Sequence, residues 1–241
     1  MTDCVDRTVR GRPLYDMFVA VSPRYDLVNH VITLGMDKRW RREAARECSI
    51  SQPTRVLDLC CGTGDLALNI VRLAGSNVEV TGLDYSQPML DIAARKAGPL
   101  ARKPTFVNGD AADMAFPDGY FDCVGVSFAF RNLTYKNPLA QCHIAEVLRV
   151  LSPGGRLVIM ETSQPAGKMI CKLYHLYLRW FGFRVGFWLS SNRGAYHYLA
   201  ESAARFYTAD ELAEILFAAG FRQVSFRPLF FGAVGIHVAI K

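Results

Sequence analysis

The residues best suited to chemistry in this sequence surround a glycine-rich turn, Gly62-Thr63-Gly64, which follows a short apolar run. Glycine lets a backbone approach a ligand closely, and the first amides of a following helix can donate hydrogen bonds to that ligand. Asp58 lies just before the turn, and Asp84 lies 20 residues after Gly64. Acidic side chains at these positions around such a turn predict a site for a nucleotide-like ligand.

Two kinds of cofactor fit this turn, and Asp58 distinguishes them. Taken alone, Gly62-x-Gly64-x-x-Ala67 also matches the fingerprint of dinucleotide-binding folds, with Asp84 placed to hold a ribose diol. A carboxylate at Asp58 would repel a pyrophosphate, whereas it would attract a ligand that carries an ammonium and a sulfonium. We therefore predict S-adenosylmethionine as the cofactor, S-adenosylhomocysteine as its product, and no metal.

Three later positions extend the predicted cofactor site. Asp110 follows the third apolar run and is expected to accept a hydrogen bond from the adenine amino group, while the Ala111 amide meets a ring nitrogen. Ser127 ends the fourth run, where the methionine part of the cofactor is expected. The predicted cofactor-binding set is Asp58, Gly62, Thr63, Gly64, Asp84, Asp110, Ala111 and Ser127.

Alternating strands and helices must position these residues, because the carboxyl ends of parallel strands meet at one edge of a sheet. The predicted strands are Arg55–Leu59, Val78–Leu83, Thr105–Val107, Phe121–Ser127 and Gly155–Met160. The predicted helices between them are Asp65–Ala74, Gln87–Lys96 and Pro138–Leu151. Ser86, followed closely by Pro88, is expected to cap the second of these helices.

The end of the chain is unusual for a dinucleotide-binding fold. A predicted helix over Thr208–Ala219 is followed by Val224–Phe231 and Val234–Ile240, which flank Gly232 and predict an antiparallel pair at the sheet edge. This ordered set resembles the class I methyltransferases, an α/β, Rossmann-like fold. The resemblance implies a mostly parallel seven-stranded sheet with an antiparallel last strand, plus N-terminal helices and an aromatic-rich lid insertion.

We expect a single domain over residues 1–241, because no linker of low complexity interrupts the chain. Its predicted parts are an N-terminal helical lid (1–50), a cofactor-binding core (51–160), a lid insertion (161–205) and a C-terminal helix with the strand pair (206–241).

Composition favours a folded cytoplasmic protein. The 241 residues are 51% hydrophobic and 21% charged, and the longest apolar runs are far shorter than the roughly 18 to 20 residues of a membrane-spanning helix. Residues 1–12 lack the apolar core of a secretory signal. Seven scattered cysteines without a C-x-x-C pair predict neither disulfides nor a zinc site. The net charge of +6 lies in the two flanks, which suits a nucleic acid or an anionic membrane surface.

Longer motifs outside the cofactor region narrow the family. They are Phe18–Asn29, Leu34–Arg41, Ser127–Asn132 and Arg193–Ser202. Together they resemble the UbiE/COQ5 (MenG) family of quinone C-methyltransferases over almost the whole chain, with Ala129 and Ala200 as departures from the usual pattern. The resemblance implies methylation of demethylmenaquinol to menaquinol, or of the corresponding ubiquinone precursor. Another lipid or small aromatic acceptor is the alternative within this enzyme class.

The chemistry of such a transfer suggests four catalytic candidates. A sulfonium already activates the methyl group, so the enzyme must align the acceptor and raise the nucleophilicity of a ring carbon. We expect Arg131 to stabilise a developing phenolate and Asn132 to orient the hydroxyl. Asp65 and His197 are the candidates to receive the proton. Arg131 also fits a surface salt bridge, and His197 a structural hydrogen bond.

The segment between Glu161 and Glu201 is rich in aromatic residues and contains five basic residues but no acid. Such a segment suits a lipid interface, and it equally fits an ordinary packing insertion with a basic exposed face.

Tyr25, Tyr196 and Tyr198 are expected to line a ring pocket. The predicted partners are a polyprenyl quinol and a membrane surface, with peripheral attachment at its inner face, and the family resemblance suggests a homodimer. An RNA methyltransferase and a cofactor-binding regulatory protein are the rivals, but no RNA-binding appendage is present, so no nucleic acid is expected.

Overall fold

A computed structural model describes residues 25–182 and 193–241. Its sheet has seven strands in the order β3-β2-β1-β4-β5-β7-β6. The strands are β1 (Arg55–Leu59), β2 (Glu79–Asp84), β3 (Thr105–Asn108), β4 (Phe121–Ser127), β5 (Leu151–Thr162), β6 (Gln223–Leu229) and β7 (Val234–Ile240). Strands β1 to β5 pair in parallel, and β7 runs antiparallel to both β5 and β6. The predicted sheet with its antiparallel last strand is confirmed.

The helices of the described residues are α1 (Tyr25–Ile32), α2 (Met36–Ser49), α3 (Asp65–Leu73), α4 (Gln87–Ala97), α5 (Phe130–Thr134), α6 (Ala140–Val150), α7 (Lys168–Tyr177), α8 (Arg193–Ala204) and α9 (Ala209–Ala218). Bounds were predicted for α3, α4, α6 and α9, and these four helices begin and end close to them. A π-helical turn, Leu178–Gly182, continues α7, and a 3-10 turn, Phe230–Gly232, joins β6 to β7. Residues 1–24 and 183–192, which include part of the expected N-terminal lid and of the aromatic insertion, lie outside the described residues.

Several local expectations differ from the structure. Strand β6 ends at Leu229 rather than at Phe231, because a 3-10 turn begins at Phe230. Helix α6 begins at Ala140 rather than at Pro138, because the Asn137 side chain accepts a hydrogen bond from the Leu139 amide (2.9 Å) and closes a turn there. Strand β5 begins at Leu151, which pairs with Phe121 before the register shifts at a bulge. Ser86 does precede α4, but its hydroxyl caps no helix amide.

The central strands β1, β4, β5 and β7 are largely buried on both faces, which explains why most of their residues are apolar. Successive side chains of a strand point to opposite faces. Leu57 and Leu59 therefore join a core cluster with Leu212 of α9, while Val56 joins a second cluster with Trp40 of α2. Packing on both faces fixes the carboxyl ends of β1, β2 and β4, which carry the candidate site.

Strand order reverses beside β1, because β2 lies on one side of it and β4 on the other. In open α/β sheets, the crevice at such a reversal is where ligands bind. Among the described helices, none combines the length and apolar character needed to cross a bilayer.

Candidate active site

The turn between β1 and α3 depends on its two glycines. Gly62 and Gly64 have φ angles of 53° and 79°, a left-handed conformation that costs other residues free energy. A Cβ atom at Gly64 would lie 2.9 Å from the Cβ of Ala93 in α4. Gly64 is therefore needed both for the bend and for packing of the turn against α4.

Asp84 at the end of β2 holds this turn in place. Its Oδ2 accepts a hydrogen bond from the Gly62 amide, and its Oδ1 accepts one from the Ser86 amide, both at 2.8 Å. Burial raises the pKa of the Asp84 carboxyl. Each carboxylate oxygen can accept a second hydrogen bond, so the residue can bind ligand hydroxyls while it orders the turn.

Asp58 has one oxygen bound and one without a partner. Its Oδ2 accepts a hydrogen bond from the Ala67 amide of α3 (2.8 Å), whereas its buried Oδ1 has no hydrogen-bond partner. The buried hydroxyls of Ser86 and Ser127 also lack partners. Burial raises the pKa of Asp58 to about 8. Unsatisfied buried polar atoms are costly, and three of them beside one pocket fit a polar, cationic cofactor.

Asp110 and Ala111 lie on the loop that follows β3. The Asp110 Oδ1 accepts a hydrogen bond from the Ala112 amide (2.9 Å), which shapes the loop, and Ala111 is buried. The two residues therefore lie on a fixed loop at the same sheet edge as Asp84.

A pocket of about 730 Å³ joins these positions. Its walls include all the predicted cofactor residues except Gly64, namely Asp58, Gly62, Thr63, Asp84, Asp110, Ala111 and Ser127. Another part of its lining, which we call the α5–α8 wall, is formed by Asn132 of α5 with Tyr198, Glu201 and Ser202 of α8. The same cavity thus connects the cofactor residues with part of the expected acceptor site.

Asp65 also lines the pocket, but its carboxylate faces two cations. Its Oδ1 bonds to the Lys96 ammonium, and its Oδ2 lies 3.6 Å from the Arg41 guanidinium. Because both oxygens contact cations, Asp65 anchors these two side chains, and its expected role as a proton acceptor stays a prediction.

Arg131 is not among the residues that line the pocket, although the next residue, Asn132, is. Its Nη1 donates hydrogen bonds to Glu161 Oε1 (2.8 Å) and to Thr162 Oγ1 (2.9 Å), and its backbone amide donates to Glu161 Oε2 (3.1 Å). Both charged side chains are buried. The pair joins α5 to β5, and the expected contact between Arg131 and an acceptor stays a prediction.

Asn132, the next residue of α5, does line the pocket. Its Oδ1 lies 3.4 Å from the Tyr198 hydroxyl, which donates to it, and its backbone oxygen accepts a hydrogen bond from the Asn137 side chain (2.8 Å). Burial raises the pKa of Tyr198. Asn132 and Tyr198 therefore present an amide and a protonated phenol to the cavity. Tyr25, Tyr196 and His197 belong to α1 and α8, but their side chains are outside the described part of the structure.

A buried histidine is among the pocket residues that the sequence motifs did not predict. His143 of α6 lines the pocket and is buried, and its Nδ1 bonds to the Leu133 carbonyl oxygen (2.8 Å). A carbonyl only accepts, so Nδ1 carries the proton. Burial lowers the pKa of His143, which leaves Nε2 as an acceptor at neutral pH. A single histidine within an amphipathic helix gives no signal in the sequence.

Comparison with protein families identifies the family of this chain. The model of the ubiE/COQ5 methyltransferase family matches residues 6–241. The chain belongs to this family. It is therefore a methyltransferase with S-adenosylmethionine as methyl donor, as the sequence motifs led us to expect.

Several named proteins are similar along almost their whole length. Demethylmenaquinone methyltransferase of Deinococcus radiodurans is 41% identical over 237 residues, or 98% of this chain and 95% of that protein. The enzyme of the same name from Thermus thermophilus is 42% identical over 223 residues, or 92% of this chain and 98% of that protein. Ubiquinone/menaquinone biosynthesis C-methyltransferase UbiE of Geobacter sulfurreducens is 36% identical over 249 residues, with 99% and 95% covered.

Solved structures confirm the fold. A SAM-dependent methyltransferase from Thermotoga maritima superposes with a TM-score of 0.65 at 16% identity, covering 95% of this chain and 99% of that one. Human N-acetylserotonin methyltransferase, solved with SAM, gives a TM-score of 0.63 at 18% identity, covering 96% and 60%. At these identities the likeness establishes the class I methyltransferase fold alone.

Proposed function

We propose that this methyltransferase transfers a methyl group from S-adenosylmethionine to a ring carbon of a polyprenyl quinol, converting demethylmenaquinol to menaquinol. The observation that carries the proposal is the continuous pocket from Asp84 and Asp110 to the α5–α8 wall. The names of the relatives from D. radiodurans and T. thermophilus support this acceptor over a ubiquinone precursor or another aromatic lipid.

In this proposal the cofactor lies along the carboxyl edge of β1, β2 and β4. Asp84 accepts hydrogen bonds from the ribose hydroxyls, and Asp110 with the Ala111 amide recognises the adenine. The unpartnered Asp58 Oδ1 and Ser127 Oγ face the methionine part. The Gly62-Thr63-Gly64 turn allows the close backbone approach that this arrangement needs.

The bound cofactor supplies an electrophilic methyl group, and the protein must supply alignment and a proton acceptor. A carbon–carbon bond forms as the sulfur–methyl bond breaks, the ring carbon then loses its proton, and S-adenosylhomocysteine remains. Asn132 and Tyr198 orient the quinol hydroxyl, and Tyr25 and Tyr196 border the ring. Arg131, held by Glu161, acts as a positioning residue for Asn132. His197, or else Asp65 through water, receives the proton, with no metal involved.

The proposal extends to a membrane surface, because a polyprenyl tail is supplied from lipid. Met169, Leu173, Leu176 and Trp180 recur at helical spacing along α7 and its π-helical turn, and all four are exposed. Lys168, Lys172 and Arg179 flank this apolar stripe. A basic, apolar helix face of this kind suits peripheral binding to anionic lipid. Residues 1–50 and 161–205 then act as lids of a single domain. We also propose that the enzyme is a homodimer and that it does not bind nucleic acid.

A direct assay tests the acceptor. Purified enzyme receives deuterated-methyl S-adenosylmethionine with short-chain demethylmenaquinol, a demethylated ubiquinol precursor or transfer RNA, and mass spectrometry follows the label. We expect labelled menaquinol to form fastest. Faster labelling of the ubiquinol precursor would move the acceptor to the alternative, and labelling of RNA alone would overturn the quinol assignment.

A further inference from the structure

Lys96 lies near the end of α4, outside every motif that the function uses, and yet its ammonium group contacts three acceptors beside the cofactor turn. Its Nζ lies 3.0 Å from Asp26 Oδ2 and 3.2 Å from Thr63 Oγ1, and it bonds to Asp65 Oδ1. An ammonium has three N–H donors. All three are directed at residues from separate parts of the chain, namely α1, the turn and α3.

Thr63 links this cluster to the turn itself. Its hydroxyl donates a hydrogen bond to Asp26 Oδ1 (2.7 Å) and accepts one from Lys96. Thr63 stands between Gly62 and Gly64, the two residues with left-handed backbone conformations. Glycines on both sides leave the turn conformationally free in the unfolded chain, so the bonds of the Thr63 side chain restrict it to one conformation.

A second set of polar contacts fastens α1 to the same point. His30 of α1 bonds to Asp37 Oδ2 (2.7 Å), Asp37 bonds to Arg41, and Arg41 lies 3.6 Å from Asp65 Oδ2. Both ends of α1 are thus joined to Asp65, one through Lys96 and one through Arg41. Since Lys96 contacts the two carboxylates of Asp26 and Asp65 together, it also relieves their mutual repulsion.

We propose that Lys96 is a positioning residue for S-adenosylmethionine, which locks α1 and the Gly62-Thr63-Gly64 turn into their cofactor-binding arrangement through Asp26, Thr63 and Asp65. The proposal rests on the cofactor assignment of the pocket and not on the identity of the methyl acceptor. Side chains of Lys96, Asp26 and Asp65 are 23–29% exposed, so dissolved salt screens the contacts in part. Cofactor release should therefore become faster as ionic strength rises.

Cofactor binding without any acceptor tests this role. Calorimetry gives the dissociation constant, and stopped-flow displacement gives the rate at which S-adenosylmethionine leaves. Lys96→Met keeps an unbranched side chain of similar length but removes its charge and its hydrogen-bond donors. We expect roughly tenfold weaker binding of S-adenosylmethionine, mainly through faster release. The variant should also lose most of the salt dependence. Lys103→Met, which removes an exposed lysine shortly after the same helix, is the matched control and should behave as wild type.

Two further measurements separate positioning from general stability. Asp26→Asn alone should weaken binding, and adding it to Lys96→Met should cost little more, because the two side chains act as a unit. Thermal unfolding without cofactor identifies variants that merely fold less well. Wild-type affinity and release in Lys96→Met, or equal salt dependence in both proteins, would overturn the proposal while leaving the quinol assignment intact. Failure of wild type itself to bind S-adenosylmethionine would overturn the cofactor assignment and this proposal with it.

Discussion

The two sides of the pocket are built in different ways. The cofactor side is made of residues at consecutive strand ends, such as Asp58, Asp84 and Asp110, within 53 residues of one another along the chain. The α5–α8 wall instead brings Asn132 and Tyr198 together across 66 residues. The cofactor side is built on neighbouring paired strands and the turn that follows β1, whereas the wall depends on a side-chain contact between two separate helices. Substitutions on the cofactor side should therefore weaken cofactor binding, whereas substitutions at the α5–α8 wall should slow methyl transfer.

The largest effect on the rate of methyl transfer is expected from the buried ion pair of Arg131 and Glu161, beside the α5–α8 wall. Glu161→Gln leaves the Arg131 guanidinium buried without its anion, and Arg131→Ala removes it, so both should displace Asn132 and lower methyl transfer by about 100- to 1,000-fold. Cofactor affinity should stay near wild type. Single-turnover methylation of short-chain demethylmenaquinol measures the rate, and calorimetry measures the affinity.

Loss of stability alone must be separated from this effect. Glu146→Gln removes the partner of another ion pair, with Arg149 (2.7 Å), and serves as the matched control. If it slows the reaction of folded enzyme as much as Glu161→Gln does, the positioning role of Glu161 is wrong.

On the cofactor side, Asp84→Ala should weaken S-adenosylmethionine binding by about 1 to 3 kcal/mol, or roughly 5- to 150-fold. The variant loses an acceptor for the ligand and the bonds that hold the Gly62 and Ser86 amides. Calorimetry of wild type and variant checks this value. Unchanged affinity would remove Asp84 from the site and weaken the contrast between the two sides.

Asp58 gives the cofactor side a pH dependence. Burial raises its pKa to about 8 in the free enzyme, so the carboxyl is largely neutral at pH 7 and ionises as the pH rises through 8. A cationic ligand prefers the ionised form, and binding should strengthen by roughly tenfold between pH 7 and pH 8.5. Asp58→Asn should lack this rise and reveal any titration of the ligand's own amino group. Parallel pH profiles in the two proteins would contradict the assignment.

The smallest effect is expected on the exposed stripe of α7. Leu173→Ser should lower association with anionic vesicles several-fold, since part of the buried apolar area is lost. Phe217→Ser on α9, another exposed apolar residue, is the control. Co-sedimentation measures the bound fraction, and equal losses in both variants would count against α7 as the contact face.

Several features were predictable because they depend on local sequence. Strands β1, β4 and β7 have their predicted bounds, since short and mostly apolar runs mark strands buried on both faces. The order of the cofactor residues followed from the same pattern, because parallel strands all end at one edge. The first residues of α6 and β5 were less predictable. A side-chain hydrogen bond of Asn137 sets where α6 begins, and a register shift beside Phe121 accompanies the earlier start of β5. Neither feature leaves a periodic signal in the sequence.

The sequence by itself determined the succession of strands and helices along the chain, the glycine turn and the acids at the strand ends, because these depend on backbone conformation and on spacing of two or three to four residues. Only the tertiary structure decided the environment of each side chain. It paired Arg131 with Glu161, surrounded Asp65 with Lys96 and Arg41, and brought His143 to the pocket. Arg131 and Glu161 are 30 positions apart in the chain, Arg41 and Asp65 are 24 apart, and Asp65 and Lys96 are 31 apart. The electrostatic energy of such a pair depends on its distance and burial in space, and neither can be read from the spacing of the residues along the chain.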